Sequence, residues 1–514
     1  MTTGSEPAAA SRTYSGWQRE KVEFLFGLSG RRAAMLGLAV LAAILPLATV
    51  RLSEGAVMWP ATMVLVAAVF VRVGGRTADE WLIAAASYAL LVFRRQHKFA
   101  SGPFIPPAQQ HDRQPDLPGI LAPLTIVAVP SGRGRDVGVA HHRYDRTWTA
   151  VAKVRFAGIG LVDSVRRDQR VAGWGGLLAS LCTEGQPITR VQALQRIVPE
   201  SGAALRRWHA DHLTPGAPQA AREITGTLLA TSTLATSRRE SYLAFTMDSR
   251  RAQVAIKAAG GGESGAVTVL LRHLRSLSAA ISGAELEIED WLSARDLAEV
   301  IRAAYDPDIQ PDLDTRRAIT AARDAAGLPA QGTRPGVDPA LGGPVYAEAN
   351  PGVYLHDGAA SVTYWVHEWP RGQAYCTTLA SLLSEGSHRR SFAMNIEPLG
   401  PRVAERDVMR ERTARHVAIR MRQRTGQIVP EHEQVAAAKA RTQDAERAAG
   451  HGLVRFTAYL TVTTDPASTE DACAVLEADA AAARIEIRRM WGAQDIGFAV
   501  GALPLGIGLP KRRW

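Results

Sequence analysis

The sequence predicts an α+β protein, with an N-terminal transmembrane helical hairpin followed by two tandem ferredoxin-like α/β units carrying helical insertions. Three observations carry that expectation. Two charge-free runs, 33–50 and 55–71, stand near the N-terminus. From Leu124 onward, period-two alternation is interleaved with segments of helical period. Two pairs of similar strings also recur about two hundred positions apart: "LLASLCTEG" from Leu177 with "TLASLLSEG" from Thr378, and "AELEIEDWLSARDL" from Ala284 with "ARIEIRRMWGAQDI" from Ala483.

The first run, Ala33 to Val50, would span roughly 27 Å as a helix, which suits a hydrocarbon core. Only Arg51, Leu52, Ser53 and Glu54 separate it from the second, Gly55 to Val71, so the chain is expected to cross and return. Pro46 and Pro60 are tolerable in such spans. Arg31 and Arg32 precede the hairpin, and Arg72, Arg76, Arg94 and Arg95 follow it. As membrane-orienting residues they imply a multi-pass protein of the inner (cell) membrane with both termini cytoplasmic. A cleaved signal peptide is disfavoured, because no small-residue cleavage site ends the first run and a second run follows at once. Ala78 to Phe93 reads as a helix with Asp79 and Glu80 at its start and Arg94 and Arg95 after its end. That charge order matches the helix dipole, and the helix is expected at the membrane interface or as a third, partial span.

Residues 1–32 are then a cytoplasmic tail, 33–100 the hairpin with its interfacial helix, and 101–118 a proline-rich linker. Residues 119–330 form a first cytoplasmic unit, 331–358 a linker and 359–514 a second unit. In the first unit the pattern reads strand 147–156, helix 169–182, strand 188–198, a helical excursion over 203–235, strand 242–247, helix 266–282 and strand 284–289. The second repeats that order, with its excursion at Pro401 to Gly450 broken at Gly426 and Pro430. A shared order with two echoes at one offset indicates duplication. Gly185 and Gly386, closing the echoed helices, are expected in left-handed turns.

With 46% hydrophobic residues the chain has material for a sizeable core. Cys182, Cys376 and Cys473 make no C-x-x-C pair and read as core packing. A net charge of +10 favours anionic partners without choosing among them. "GGGESGAV" at Gly260 has glycines spaced as in a phosphate loop, but Ala266 stands where a Walker lysine is required. "GIGLVD" at Gly158 lacks the third glycine of a dinucleotide fingerprint. His209 and His212 share a helical face with no further ligand, and the adjacent His141 and His142 on one strand point to opposite faces. His367, Glu368 and Trp369 end a strand, and no triad or metalloprotease motif emerges. The sequence therefore predicts no enzyme, no catalytic or cofactor-binding residues and no metal.

Arginines cluster elsewhere. Arg402, Arg406, Arg410 and Arg415, with Arg389 and Arg390, form the candidate partner surface; Glu405, Asp407 and Glu411 interleave with the first group as on a solvated helix. Few aromatics stand between the arginines, which disfavours nucleic acid.

"YSGWQREKVEFLFGLSGRR", the hairpin and "GRTADEWLIAAASYALLVFRR" resemble the two-span membrane proteins of actinobacterial conjugative elements, whose hairpin is similar to the PrgI-type component of type IV secretion systems. "YWVHEWP" and "IGFAVGALPLGIGL" look like the N-terminal, non-ATPase half of conjugation ATPases. The EccE-type component of type VII secretion offers a second resemblance. What these imply is a non-catalytic membrane scaffold in an oligomeric complex, in contact with the lipid bilayer and docking a separate ATPase. The alternative is a DNA-guiding or nucleotide-binding protein that uses the cleft between its halves.

Overall fold

A computed structural model describes residues 72–508 apart from 74–75, 102–114, 132–135, 157–161, 200–202, 215, 233–236, 328–334, 371, 373, 376, 385, 387, 425, 427 and 449; it also describes 36–37, 39–44, 58–60, 62–63 and 66–67. The chain divides into two compact units. One comprises Arg95–Gly400 and Gly452–Trp514, and the other Gly16–Arg94 and Pro401–His451.

The second unit begins with strands β1 (Arg72–Val73) and β2 (Arg76–Thr77), an antiparallel pair, followed by helix α1 (Ala78–Phe93). Here the membrane expectation is corrected. Among the described residues no helix is long and apolar enough to cross a membrane. The 16 residues of α1 span roughly 24 Å, short of a hydrocarbon core of about 30 Å. Its Leu82, Leu90 and Phe93 are exposed. The runs 33–50 and 55–71 are described only in fragments, and Arg31 and Arg32 lie outside the described residues. Arg72 and Arg76 stand on the short strand pair, and Arg94 and Arg95 are exposed after α1. The transmembrane hairpin and the multi-pass inner-membrane placement are therefore not supported.

The first unit is built on one sheet of 13 strands. It starts with β3 (Lys98–Ala100), then β4 (Leu124–Pro130), β5 (Asp136–His142) and β6 (Thr147–Phe156). Helix α2 (Ser164–Leu181) leads to β7 (Ile188–Pro199), and helices α3 (Ala203–His212) and α4 (Gln219–Ser232) to β8 (Ser237–Asp248). Then come α5 (Gln253–Ala258), α6 (Gly262–Gly283), β9 (Leu286–Trp291), α7 (Ala294–Tyr305) and α8 (Gln310–Ala325). The second half runs β10 (Tyr346–Ala349), β11 (Tyr354–His356), β12 (Ala359–Glu368), α9 (Ala380–Leu383) and β13 (Arg389–Leu399). Helices α10 (Pro401–Arg424) and α11 (Glu431–Ala448) belong to the other unit, and β14 (Leu453–Thr464), α12 (Thr469–Ala482), β15 (Glu486–Arg489) and α13 (Gln494–Gly501) complete the chain.

The strands lie in the order β3-β10-β11-β12-β14-β13-β7-β8-β6-β5-β4, with β15 beside β12 and β9 beside β6, every pair antiparallel. The order β9-β6-β8-β7 in the first half has its counterpart β15-β12-β14-β13 in the second. The expected fold of two units behind a membrane hairpin is thus replaced by one continuous sheet, because β7 and β13 pair over Val191–Ile197 and Arg390–Ile396. Residues 346–356, expected in a linker, form β10 and β11. Asp357 and Gly358, both at positive φ, make the two-residue turn into β12 that an Asp-Gly dipeptide favours.

Alternation assigns each strand two faces. On one face Ala150, Ala152, Val191, Leu243 and Phe245 pack with Leu177 of α2 and with Leu270, Leu274 and Ile281 of α6. Val362, Tyr364, Leu460 and Val462 pack on the same side with Leu382 of α9 and with Cys473, Leu476 and Ala480 of α12. Both echoed strings therefore lie where a helix covers the sheet. The second helix is one turn long, since Tyr375 N–H donates to Thr378 Oγ1 (3.0 Å) in a local turn that competes with helix. Gly185 has φ +78, the expected left-handed turn, whereas Gly386 does not; a Cβ at Gly386 would collide with the Arg390 guanidinium.

Candidate functional site

The opposite face of the sheet is polar, and the chain itself covers it. The same alternation that buries Leu194 turns Gln192 and Arg196 to this side of β7, and places Ser391 and Asn395 opposite them on β13. Helix α13 and the segment to residue 508 lie across these groups. Gln192 Nε2 donates to Val500 O (3.1 Å) and Leu503 O (2.9 Å), while its Oε1 accepts from Gly506 N (2.7 Å). Ser391 Oγ donates to Gly501 O (2.8 Å), Thr246 Oγ1 to Gly506 O (3.2 Å) and Arg190 Nη1 to the same oxygen (2.8 Å). The glycines permit this approach. A Cβ at Gly501 would stand 2.6 Å from Thr461 Oγ1, and one at Gly497 would stand 2.9 Å from Thr363 Cβ.

Beside this segment lies a buried charge network. Arg196, 4% exposed, donates from Nε (3.2 Å) and Nη2 (2.6 Å) to Glu240 Oε2, and from Nη1 to Val300 O (3.1 Å). Glu240 also accepts from Arg238 Nη2 (2.9 Å) and Tyr242 Oη (3.1 Å), and Arg238 reaches Asp314 (3.4 Å). Arg389 donates to Ala303 O. Arg389 thus meets the last turn of α7, the charge its dipole favours, and Arg196 the turn before it. Burial alone would raise the Glu240 carboxyl, but Arg196 and Arg238 outweigh it and hold it well below the usual range. Arg389, desolvated and facing Arg196, is lowered to about 10.

A third polar group runs inward from β11. His356 donates from Nδ1 to Tyr305 O, so Nε2 accepts from Ser361 Oγ (2.8 Å), which in turn accepts from Thr463 Oγ1 (2.7 Å). The linkage is that of a nucleophile and its base, but His356 is 1% and Ser361 0% exposed, under Tyr305, Tyr354 and Phe498. Burial lowers His356 to about 4, which keeps the ring neutral. Outside the polar face, Val353, Leu355, Pro466, Thr469 and Glu470 line an open cleft of about 260 Å³.

The predicted residues divide sharply. Arg389 and Arg390 are buried, Arg390 pairing with Asp479 at 2.6 Å, so neither offers an accessible surface. Arg415 is buried against Glu411 at 2.8 Å. Arg402, Arg406 and Arg410 are exposed on α10. The glycine loop is structural, since a Cβ at Gly265 would meet Ile256 O at 2.5 Å where α5 and α6 adjoin. His141 stacks on Trp148 at 3.8 Å, His142 Nε2 lies 3.0 Å from Ile120 O, and His212 stacks on Trp208 at 4.4 Å. The Trp365 ring adjoins the His367 ring, at 5.1 Å. "GIGLVD" begins outside the described residues, as does Cys376; Cys182 and Cys473 are buried free thiols. Among the described residues no group of three His, Cys, Asp or Glu side chains could hold a metal ion. Sequence reasoning missed Gln192, Arg196, Glu240 and His356. The signal was present for Arg196 in "VQALQRIV", where a charge has the parity of the buried Leu194.

In the other unit α10 and α11 form an antiparallel pair. Ala404, Val408, Glu411, Arg415 and Arg422 line its seam on α10, with Glu433, Ala436, Ala440 and Asp444 on α11. Arg422 pairs with Glu433 at 2.7 Å and Arg412 with Asp444. The outward side of α10 carries Arg402, Arg406, Met409, Arg410, Val417, Arg420 and Arg424, all exposed. No protein-family model matches this chain, and no curated protein is significantly similar to it.

Proposed function

We propose that this chain is a non-catalytic docking component that binds a separate ATPase through the outward face of α10. The observation that carries the reading is the contrast between the two units. Gln192, Ser391, Thr246 and Arg190 of the sheet are bonded to the protein's own backbone, whereas Arg406, Arg410, Arg420 and Arg424 of α10 are exposed. Enclosure of the His356 and Ser361 pair supports a non-catalytic role, because a substrate cannot reach a group without exposed surface. The likeness of "YWVHEWP" and the closing glycine-rich segment to the non-ATPase half of motor ATPases supports an ATPase as the partner class.

Affinity purification of the full chain from its native cells, with mass-spectrometric identification of retained proteins, tests this. An ATPase should be retained by the native chain and lost with Arg406→Glu/Arg410→Glu. Recovery of no ATPase, or equal recovery with that variant, would overturn it.

A further inference from the structure

We infer that the exposed side of α1 receives α1 of a second copy of this chain, laid antiparallel across a two-fold axis. This contact involves no ATPase and goes beyond the docking reading above.

From Trp81 to Phe93 the helix carries no charged residue. Trp81, Ile83, Ala84, Tyr88 and Leu91 are half-buried, and the rest of that stretch is exposed. The exposed side is apolar as well: Leu82 is 63% and Phe93 85% exposed, with Leu90 and Val92 beside them. Its one polar member, Ser87, turns its hydroxyl back to Ile83 O (2.8 Å) and Ala84 O (2.9 Å). A helix that is apolar on every side is ordinarily covered on every side. Leu82, Ala86, Ala89 and Phe93 follow one another by four, three and four residues, so they share one line along the exposed side, with the large side chains at its ends.

The ends of α1 choose the occupant. Asp79 and Glu80 stand in its first turn, and the exposed Arg94 follows its last residue. Two copies laid antiparallel bring the acidic first turn of each beside Arg94 of the other, whereas a parallel pair sets like charges together at both ends. A face that supplies both halves of its own charge pairing is self-complementary, which an isologous contact requires. In that register Leu82 of one copy meets Phe93 of the other and Ala86 meets Ala89, so the axes approach closely at the crossing while the large side chains close both flanks. A lipid surface is disfavoured, because a helix lying in it turns a strongly polar face to water and α1 has none.

Sedimentation velocity of the full-length chain over a range of concentrations tests this. The native chain should sediment as a reversible dimer. Ala86→Glu sets a carboxylate at the crossing and should weaken the dimer about a hundredfold, and Leu82→Gln/Phe93→Gln about tenfold. Glu80→Arg and Arg94→Glu should each weaken it about tenfold when alone. An equimolar mixture of those two variants should regain the native affinity within about threefold, since opposite charges then meet at both ends of the mixed dimer. A folding defect in either variant produces no such recovery. A monomer at every concentration would mean that another stretch of this chain covers α1, and it overturns the inference. A dimer indifferent to Ala86→Glu and to Leu82→Gln/Phe93→Gln, or a mixture no tighter than its components, does the same. Flotation of the native chain with phosphatidylcholine and phosphatidylglycerol vesicles, lost with Leu82→Gln/Phe93→Gln, would assign the exposed side of α1 to lipid and likewise overturn it.

Discussion

Glu240 carries more than its own hydrogen bonds, because three arginines face it from three elements. Arg196 comes from β7, Arg238 from its own strand, and Arg389 from β13 at the start of the second half. Removing the carboxylate leaves Arg196 desolvated against Arg389 with only a backbone oxygen as acceptor. Breaking a buried pair from one side typically costs about 3–5 kcal/mol, since the remaining charge is uncompensated. Glu240→Ala should therefore lower the urea-unfolding free energy by about that amount, whereas Glu289→Ala, at a pair exposed on β9, should cost under about 1 kcal/mol. The sign with pH follows from the depressed carboxyl. Its contribution is complete above the ordinary carboxylate range and is lost only as pH falls through the lower folded value. The gap between native and variant should accordingly persist at pH 5. Equal losses for Glu240→Ala and Glu289→Ala would remove the network from the account of stability.

At the level of elements, two glycines in α2 separate sequence propensity from packing. Gly173 and Gly175 stand two positions apart in "VAGWGGLL", and either weakens an isolated helix relative to alanine. A Cβ at Gly173 would meet Ala284 Cα at 2.8 Å, while one at Gly175 would meet nothing within 4 Å. Gly175→Ala should therefore raise stability by about 0.5–1 kcal/mol, and Gly173→Ala should lower it by about 1–3 kcal/mol through overpacking. Chemical denaturation of the two variants checks the pair; the same sign for both would contradict the helix crossing. No reading of the string alone tells these glycines apart. Much else at this level was legible: the period-two run of Thr147 to Phe156 is β6, and Gly426 and Pro430 mark the break between α10 and α11. What misled was hydropathy taken without context. The apolar stretch of α1 satisfies a composition rule but is too short to span, and "GQAYCTTLASLLSEG" has helical letters, yet the Thr378 hydroxyl accepts from Tyr375 N–H and α9 covers only Ala380–Leu383. The exposed arginines of α10 were legible by charge, whereas Arg389, Arg390 and Arg415 carry the same letter and are buried by partners distant in sequence.

For the unit built on the sheet, the decisive joint is the pairing of β7 with β13, which no local pattern announces. Each strand alone reads as an edge, and a duplicated sequence suggests two separate sheets as readily as one. Here seven residue pairs join the halves, and Gln192 and Ser391 anchor the closing segment from both sides of the joint. If the halves were independent bodies in contact, amides at the joint would open without unfolding either one and exchange faster than those of the strands behind them. In a single sheet no such opening is open to them, because separating β7 from β13 also strips Gln192 and Ser391 from Val500, Gly501 and Leu503. Native-state hydrogen exchange should therefore give Leu194 and Ala393 protection within about tenfold of Leu243 on β8 and Leu460 on β14. Exchange at the joint faster by two orders of magnitude or more would mean that the halves open as separate domains, and the continuity of the sheet would then not be a unit of stability.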